Sequence, residues 1–179
     1  IANLGGVTDK SAAINNAGTV NLGANATIAA VTTSGAIACT EFDLTATTTD
    51  FAAGGSITIV HAAPGTLSLG AVTVSGSASL PTAATITTLT VDAAMTATLT
   101  GNLAPSGNVT VNGSVAGAYT LSIPANLTVG AAGTFNANVV GLTFNCSAAE
   151  AHTITQTNAA ATLPPVTVDN NGSTSLTAT

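Results

Sequence analysis

Apolar and hydroxyl-bearing residues alternate along most of the chain in short bursts. Ile57-Thr58-Ile59, Leu89-Thr90-Val91, Val109-Thr110-Val111 and Leu142-Thr143-Phe144 all read apolar-Thr-apolar. Alternation with a period of two, carried by β-branched residues, marks a strand with one buried face and one open face. The bursts are bounded by Gly, by Pro, by Asn-Gly (Asn112-Gly113, Asn171-Gly172) or by Ser-Gly (Ser34-Gly35, Ser75-Gly76), which punctuate turns. No stretch sustains apolar residues at i, i+3, i+4 and i+7, and Thr, Gly and Val are weak helix formers. The pattern predicts an all-β chain of many short strands.

The bursts sit inside a longer repeat. Val20-Asn21-Leu22-Gly23-Ala24-Asn25-Ala26-Thr27-Ile28 matches Leu121-Ser122-Ile123-Pro124-Ala125-Asn126-Leu127-Thr128-Val129 almost position for position. Looser copies begin at Leu67, Leu80, Leu103 and Leu163, each running apolar, Gly or Pro, small residues, then apolar-Thr-apolar. The leading apolar positions 80, 103, 123 and 163 stand 23, 20 and 40 apart, which is a unit of about twenty residues with one degraded copy. About nine such units would fill the 179 residues as one domain, 1–179, with the clearest repeats over 19–168. A parallel β-solenoid of about nine irregular coils accounts for the repeated order, since each coil stacks apolar residues on their counterparts in the next. The alternative is an antiparallel β-sandwich with a donated strand, favoured by the Asn-Gly pairs and by the irregular period.

Composition narrows the function classes. The chain holds 36 Ala and 34 Thr, a single cation (Lys10) and seven carboxylates, for a net charge of −6. Nucleic acid and anionic lipid both require a basic footprint, so neither is an expected partner. Leu, Ile, Val and Phe total 42 residues, enough to pack a core, yet no apolar run reaches the length of a spanning helix. One Tyr, four Phe and no Trp also fall short of the aromatic girdles of a membrane barrel. Sparse Lys among dense Thr, Ser and Asn points to an extracellular or cell-surface location.

Candidate chemistry is thin. Glu41 and Asp43, two apart on one strand face, are the nearest approach to an acid–base pair, and His61 and His152 lack neighbours at metal-ligand spacing and read as rim residues. No enzyme is expected. Asp9, Asp50 and Asp92 stand 41 and 42 apart and, with Asp169, follow the end of apolar-Thr stretches, so a solenoid would set them along one edge. They are weak calcium candidates, the one possible cofactor, because Asp also closes turns with its own side chain. Asn25, Asn108, Asn112, Asn126, Asn145 and Asn171 match Asn-x-Ser/Thr and could carry glycans. Cys39 and Cys146 are 107 residues apart. At about 4.8 Å per coil that is some five coils, too far for a bridge, so a solenoid predicts free or intermolecular thiols. Thr-x-Thr occurs at Thr88-Leu89-Thr90, Thr96-Ala97-Thr98, Thr98-Leu99-Thr100 and Thr153-Ile154-Thr155. Such pairs on a solenoid resemble the ice-binding β-helices, but along the sequence they do not recur at the repeat interval.

From Ala93 to Ala149 no residue is Asp, Glu, Lys, Arg or His. A surface of Thr, Ala, Asn and Ser over such a length is expected to be covered, by glycans or by neighbours. Neither end shows a charged cap of the kind that guards an open strand edge. From Thr19 to Val168 the chain resembles, at class level, secreted Thr/Ala/Gly-rich β-solenoid surface proteins: microbial filament, sheath and adhesin-stalk subunits. The resemblance implies an extracellular structural subunit whose partners are copies of itself, joined head to tail. The alternative it leaves is a stalk or phage-fibre module that recognises a glycan or host surface.

Overall fold

The computed structural model describes residues 2–4, 13–39, 41–58, 65–146, 152–170 and 176–178. Among them every regular element is a strand, and every strand pair is parallel. The chain is a β-solenoid, and the antiparallel sandwich is excluded.

The first turn carries β1 (Ala2–Leu4) and β2 (Ala13–Asn16), the second β3 (Thr19–Leu22) and β4 (Ala26–Thr33), the third β5 (Ala36–Ala38) and β6 (Leu44–Phe51). Next come β7 (Ser56–Thr58) with β8 (Leu67–Val74), β9 (Ala78–Leu80) with β10 (Ala84–Val91), and β11 (Thr96–Leu99) with β12 (Val109–Val111). The seventh turn holds β13 (Ser114–Ala116), β14 (Thr120–Ile123) and β15 (Leu127–Val129), and the eighth β16 (Thr134–Phe135), β17 (Gly141–Cys146) and β18 (His152–Gln156). Finally β19 (Val166–Asn170) and β20 (Leu176–Ala178) lie on top. The first and last turns are partial, so about seven are complete where the repeat arithmetic predicts nine. The turns are uneven: Val20 pairs with Ile37, 17 residues on, whereas Leu127 pairs with Ile154, 27 on.

The cross-section has three faces. The eight-stranded sheet from β1 to β16 forms the first. The eight-residue strands β4, β6, β8 and β10 form the other two, because each is bent in the middle. Their burial alternates, shows two adjacent outward positions, and then resumes alternating. Two neighbours on the same side of a pleated strand mean that it turns a corner there. Above β10 the halves separate: Val109–Val111 of β12 pair only with Leu89–Val91, while Leu103 bridges to Leu121 and hands the second face to β14, β17 and β19. The third face runs from β2 through the second halves of the bent strands to β12, β15, β18 and β20.

The corners need tight backbone. Gly70, at the bend of β8, has φ +59°, and a Cβ there would overlap the carbonyl of Thr47 one turn below. Ala83 and Ala94 adopt similar left-handed conformations, with φ 60° and 64°, at two further corners. The near-identical segments Val20–Ile28 and Leu121–Val129 fall on different corners: the first joins face one to face two, the second face two to face three. The repeated unit is therefore a corner with a strand on each side, shorter than one full turn.

Inside, aliphatic columns run the length of the stack. Leu44, Leu67, Leu103, Leu121 and Leu142 fill one, and Val72, Leu89, Val109 and Leu127 another, all buried. Two buried threonines join the third-face columns without leaving an unmatched hydroxyl. Thr33 Oγ1 donates to the Gly35 carbonyl at 2.7 Å and Thr49 Oγ1 to that of Leu69 at 2.9 Å.

Candidate functional site

The polar residues singled out by the sequence serve mainly as braces between turns. At the corner leading into the second face, Asp43 accepts from Asn25 Nδ2 at 3.3 Å, from the Thr66 N–H at 2.6 Å and from the Thr66 hydroxyl at 2.9 Å. The Thr66 backbone bond, followed by the hydroxyl bond, holds the Asp43 carboxyl below its ordinary range. Asp43 is thus tied into three successive turns, while Glu41 is exposed in the preceding loop. A second brace runs up the corner into the third face, where Asn108 Oδ1 accepts from the Asn126 N–H and Nδ2, both at 3.2 Å, and Asn126 Oδ1 accepts from the Thr153 N–H at 2.9 Å.

The aspartates do not line one edge. Asp50 lies on the third face in β6, where it accepts from the Ser75 hydroxyl at 2.6 Å. Asp92 follows β10 two turns higher, and Asp169 is exposed in β19 on the second face. Among the described residues no three His, Cys, Asp or Glu gather as a metal site. Asp9, Lys10, His61 and Asn171 lie outside the described residues. Of the other glycan candidates, Asn25, Asn108, Asn126 and Asn145 are exposed, and Asn112 is half-buried against Gly130.

His152 departs from the rim position expected of it. As the first residue of β18 it is 2% exposed, its Nδ1 lies 3.1 Å from the Ala125 carbonyl, and its Nε2 is buried with no hydrogen-bond partner. Sequence gave no hint of this, because Ala151-His152-Thr153 looks equally at home in a loop. Cys39, just past β5, is a free buried thiol whose burial pushes its pKa up to about 11. Cys146 ends β17 on a different face five turns higher. A cavity of about 570 Å³ separates β16 from residues 160–165, and none of its lining side chains, among them Phe135, Asn136, Val139 and Leu163, is titratable.

The most regular surface is the outside of the third face. Strand register stacks Thr32, Asp50, Thr73, Thr90, Thr110, Thr128 and Thr155 in one column, with Thr at five consecutive turns from Thr73 to Thr155. Two residues earlier on each strand runs a second column: Ala30, Thr48, Ala71 and Thr88. It continues at Asn108, Asn126 and Thr153, each one residue before the paired Val109, Leu127 and Ile154. Thr88-x-Thr90 and Thr153-x-Thr155 therefore share one face, with Asn-x-Thr on the two turns between. This corrects the expectation that the pairs fail to recur: uneven corner loops hide in the sequence a recurrence that the ladder restores. Among the described residues no hydrogen bond engages the hydroxyls of Thr73, Thr90, Thr110, Thr128 or Thr155, whereas Thr49 and Thr100 donate to carbonyls.

No family model, curated protein or solved structure matches this chain. No helix among the described residues is long and apolar enough to cross a membrane.

Proposed function

We propose that the protein is a non-enzymatic structural subunit of an extracellular filament, sheath or cell-surface layer, assembled head to tail from copies of itself. The observation that carries this reading is the flank of turns six to eight. From Thr96 to Cys146 it presents Thr, Ser, Asn and Ala outward, without a single carboxylate, amine or imidazole. A dispersed particle keeps its surface charged to stay apart from its copies, and this flank lacks that repulsion. The upper end adds to it. Val166 and Val168 pair with the fully buried Leu142 and Phe144, yet are 41% and 44% exposed. A further β-layer laid on them would extend the core column and the ladder together, which is the geometry of an open heterologous polymer.

Electron microscopy with the power spectrum of the images tests this. Fibres with a meridional spacing near 4.7–4.8 Å are the expected outcome, since the strands would stack along the fibre axis. A species that sediments as the 17.0 kDa monomer at every concentration would overturn it.

A further inference from the structure

We infer that the outer side of the third face is an ice-binding surface, recognising the ordered water lattice of ice through its two columns of Thr and Asn. The inference concerns one face of one chain and is independent of whether the chain assembles. Four features carry it. The first is periodicity in two directions: successive rungs lie about 4.8 Å apart along the stack, and residues i and i+2 about 6.6–6.8 Å apart along each strand. A crystalline ligand repeats in both directions, so only a surface with matching repeats contacts it at every rung, and hexagonal ice has oxygen rows close to both spacings. The second is chemistry. Thr73, Thr90, Thr110, Thr128 and Thr155 present a methyl and a hydroxyl each, and those hydroxyls take part in no hydrogen bond among the described residues. A hydroxyl of this kind continues a water network, while the methyl beside it fills the open space between water rows.

The third feature is rigidity. Val109 and Val111 flank Thr110, and Leu127 and Val129 flank Thr128, all 0% exposed, so the backbone carrying the array is pinned from within. The Asn126–Asn108 bonds and the Thr153–Asn126 bond fix the second column against its neighbours. Ordering the surface before contact removes an entropy cost that a mobile surface would meet on binding. The fourth is the absence of charge on these five turns of the face, since an ionised group organises water around itself and breaks the lattice. Size argues against a second protein as the occupant. Five rungs by two columns cover on the order of 300 Å², well under the roughly 800 Å² per partner of a stable protein interface.

The test is thermal hysteresis and ice recrystallisation inhibition of the full chain, with Thr110→Lys and Thr90→Lys in the array and Thr143→Lys on the second face as control. Thr143 is half-exposed in β17, outside both columns, so its replacement leaves the array intact. Thermal unfolding verifies that each variant is folded. The expected result is faceted ice crystals with the wild type, at least tenfold loss of activity at equal concentration for the two array variants, and no loss for Thr143→Lys. Round crystals with no freezing gap for the wild type, or equal loss at Thr143, would overturn the inference. Fibres without ice activity would refute it while sparing the proposed assembly, and ice activity from a monomer would do the reverse.

Discussion

Replacing Gly70 by Ala probes the corner geometry most directly. Gly70 combines a left-handed φ of +59° with a position directly above the backbone of the turn beneath, so the added methyl meets two separate obstacles. A non-glycine residue in the left-handed region costs about 1–2 kcal/mol. The new Cβ would also overlap the Thr47 carbonyl and stand 2.7 Å from the Ala46 oxygen, both main-chain atoms that cannot rotate aside. Relief requires β8 to lift away from β6, which strains at least one ladder hydrogen bond worth about 1 kcal/mol. The sum is about 3 kcal/mol, and for a chain of this size that lowers the melting temperature by about 6–12 °C. Scanning calorimetry with guanidinium titration measures it. In a stack held by neighbour contacts the damage should appear first between turns three and four, seen as faster amide exchange in β6 and β8 than in β12 or β15. A loss below about 0.5 kcal/mol would refute the argument, because neither the left-handed backbone nor the close approach of the turns would then exist in solution.

Ala83→Gly and Ala94→Gly should act oppositely, each raising stability by up to about 1 kcal/mol in the same denaturant titration, because Gly removes the left-handed penalty and keeps only its own chain entropy. Asp43 has a folded pKa below its unfolded value of about 3.9, so its contribution is present above that pH and is lost as the pH falls through the lower, folded value. Amide exchange at Thr66 should therefore accelerate in acid below about pH 4, and Asp43→Asn should remove that dependence. Cys39, with its pKa raised to about 11, should resist maleimide at neutral pH until denaturant is added, and stability should fall as the pH rises from 9.0 towards 11. Rapid native labelling of Cys39 would show that the interior beside β5 is open.

The strands were legible because their cause is local. Leu89-Thr90-Val91 and Val109-Thr110-Val111 alternate one buried, one outward and one buried residue, as their burial shows. Parallel stacking was legible too, through the recurrence of a corner motif that a sandwich has no reason to repeat. The number of turns and the alignment of their outer surfaces were not. Both depend on how much chain each corner loop consumes, and the 17-residue step from Val20 to Ile37 and the 27-residue step from Leu127 to Ile154 cannot be read from strand composition. For the same reason the Thr face was invisible: Thr128 and Thr155 are neighbours in space only because residues 130–153 bulge away between them. The burial of His152 was hidden for a different reason, since a lone imidazole carries no pattern to say which way its strand faces.

The wholly parallel ladder also fixes how the molecule should respond to tension. Each turn is bonded only to the one before and the one after, so a pull applied at the two ends loads the outermost rung alone and detaches it before the next is stressed. Each event releases about twenty residues, or about 70 Å of slack at full extension. Force spectroscopy would then record a run of small, similar steps whose spacing follows the uneven loop lengths, with the 27-residue span between Leu127 and Ile154 giving a longer interval than the 17-residue span between Val20 and Ile37. A thread of such subunits would lengthen by yielding turn after turn, dissipating work instead of snapping at a single junction.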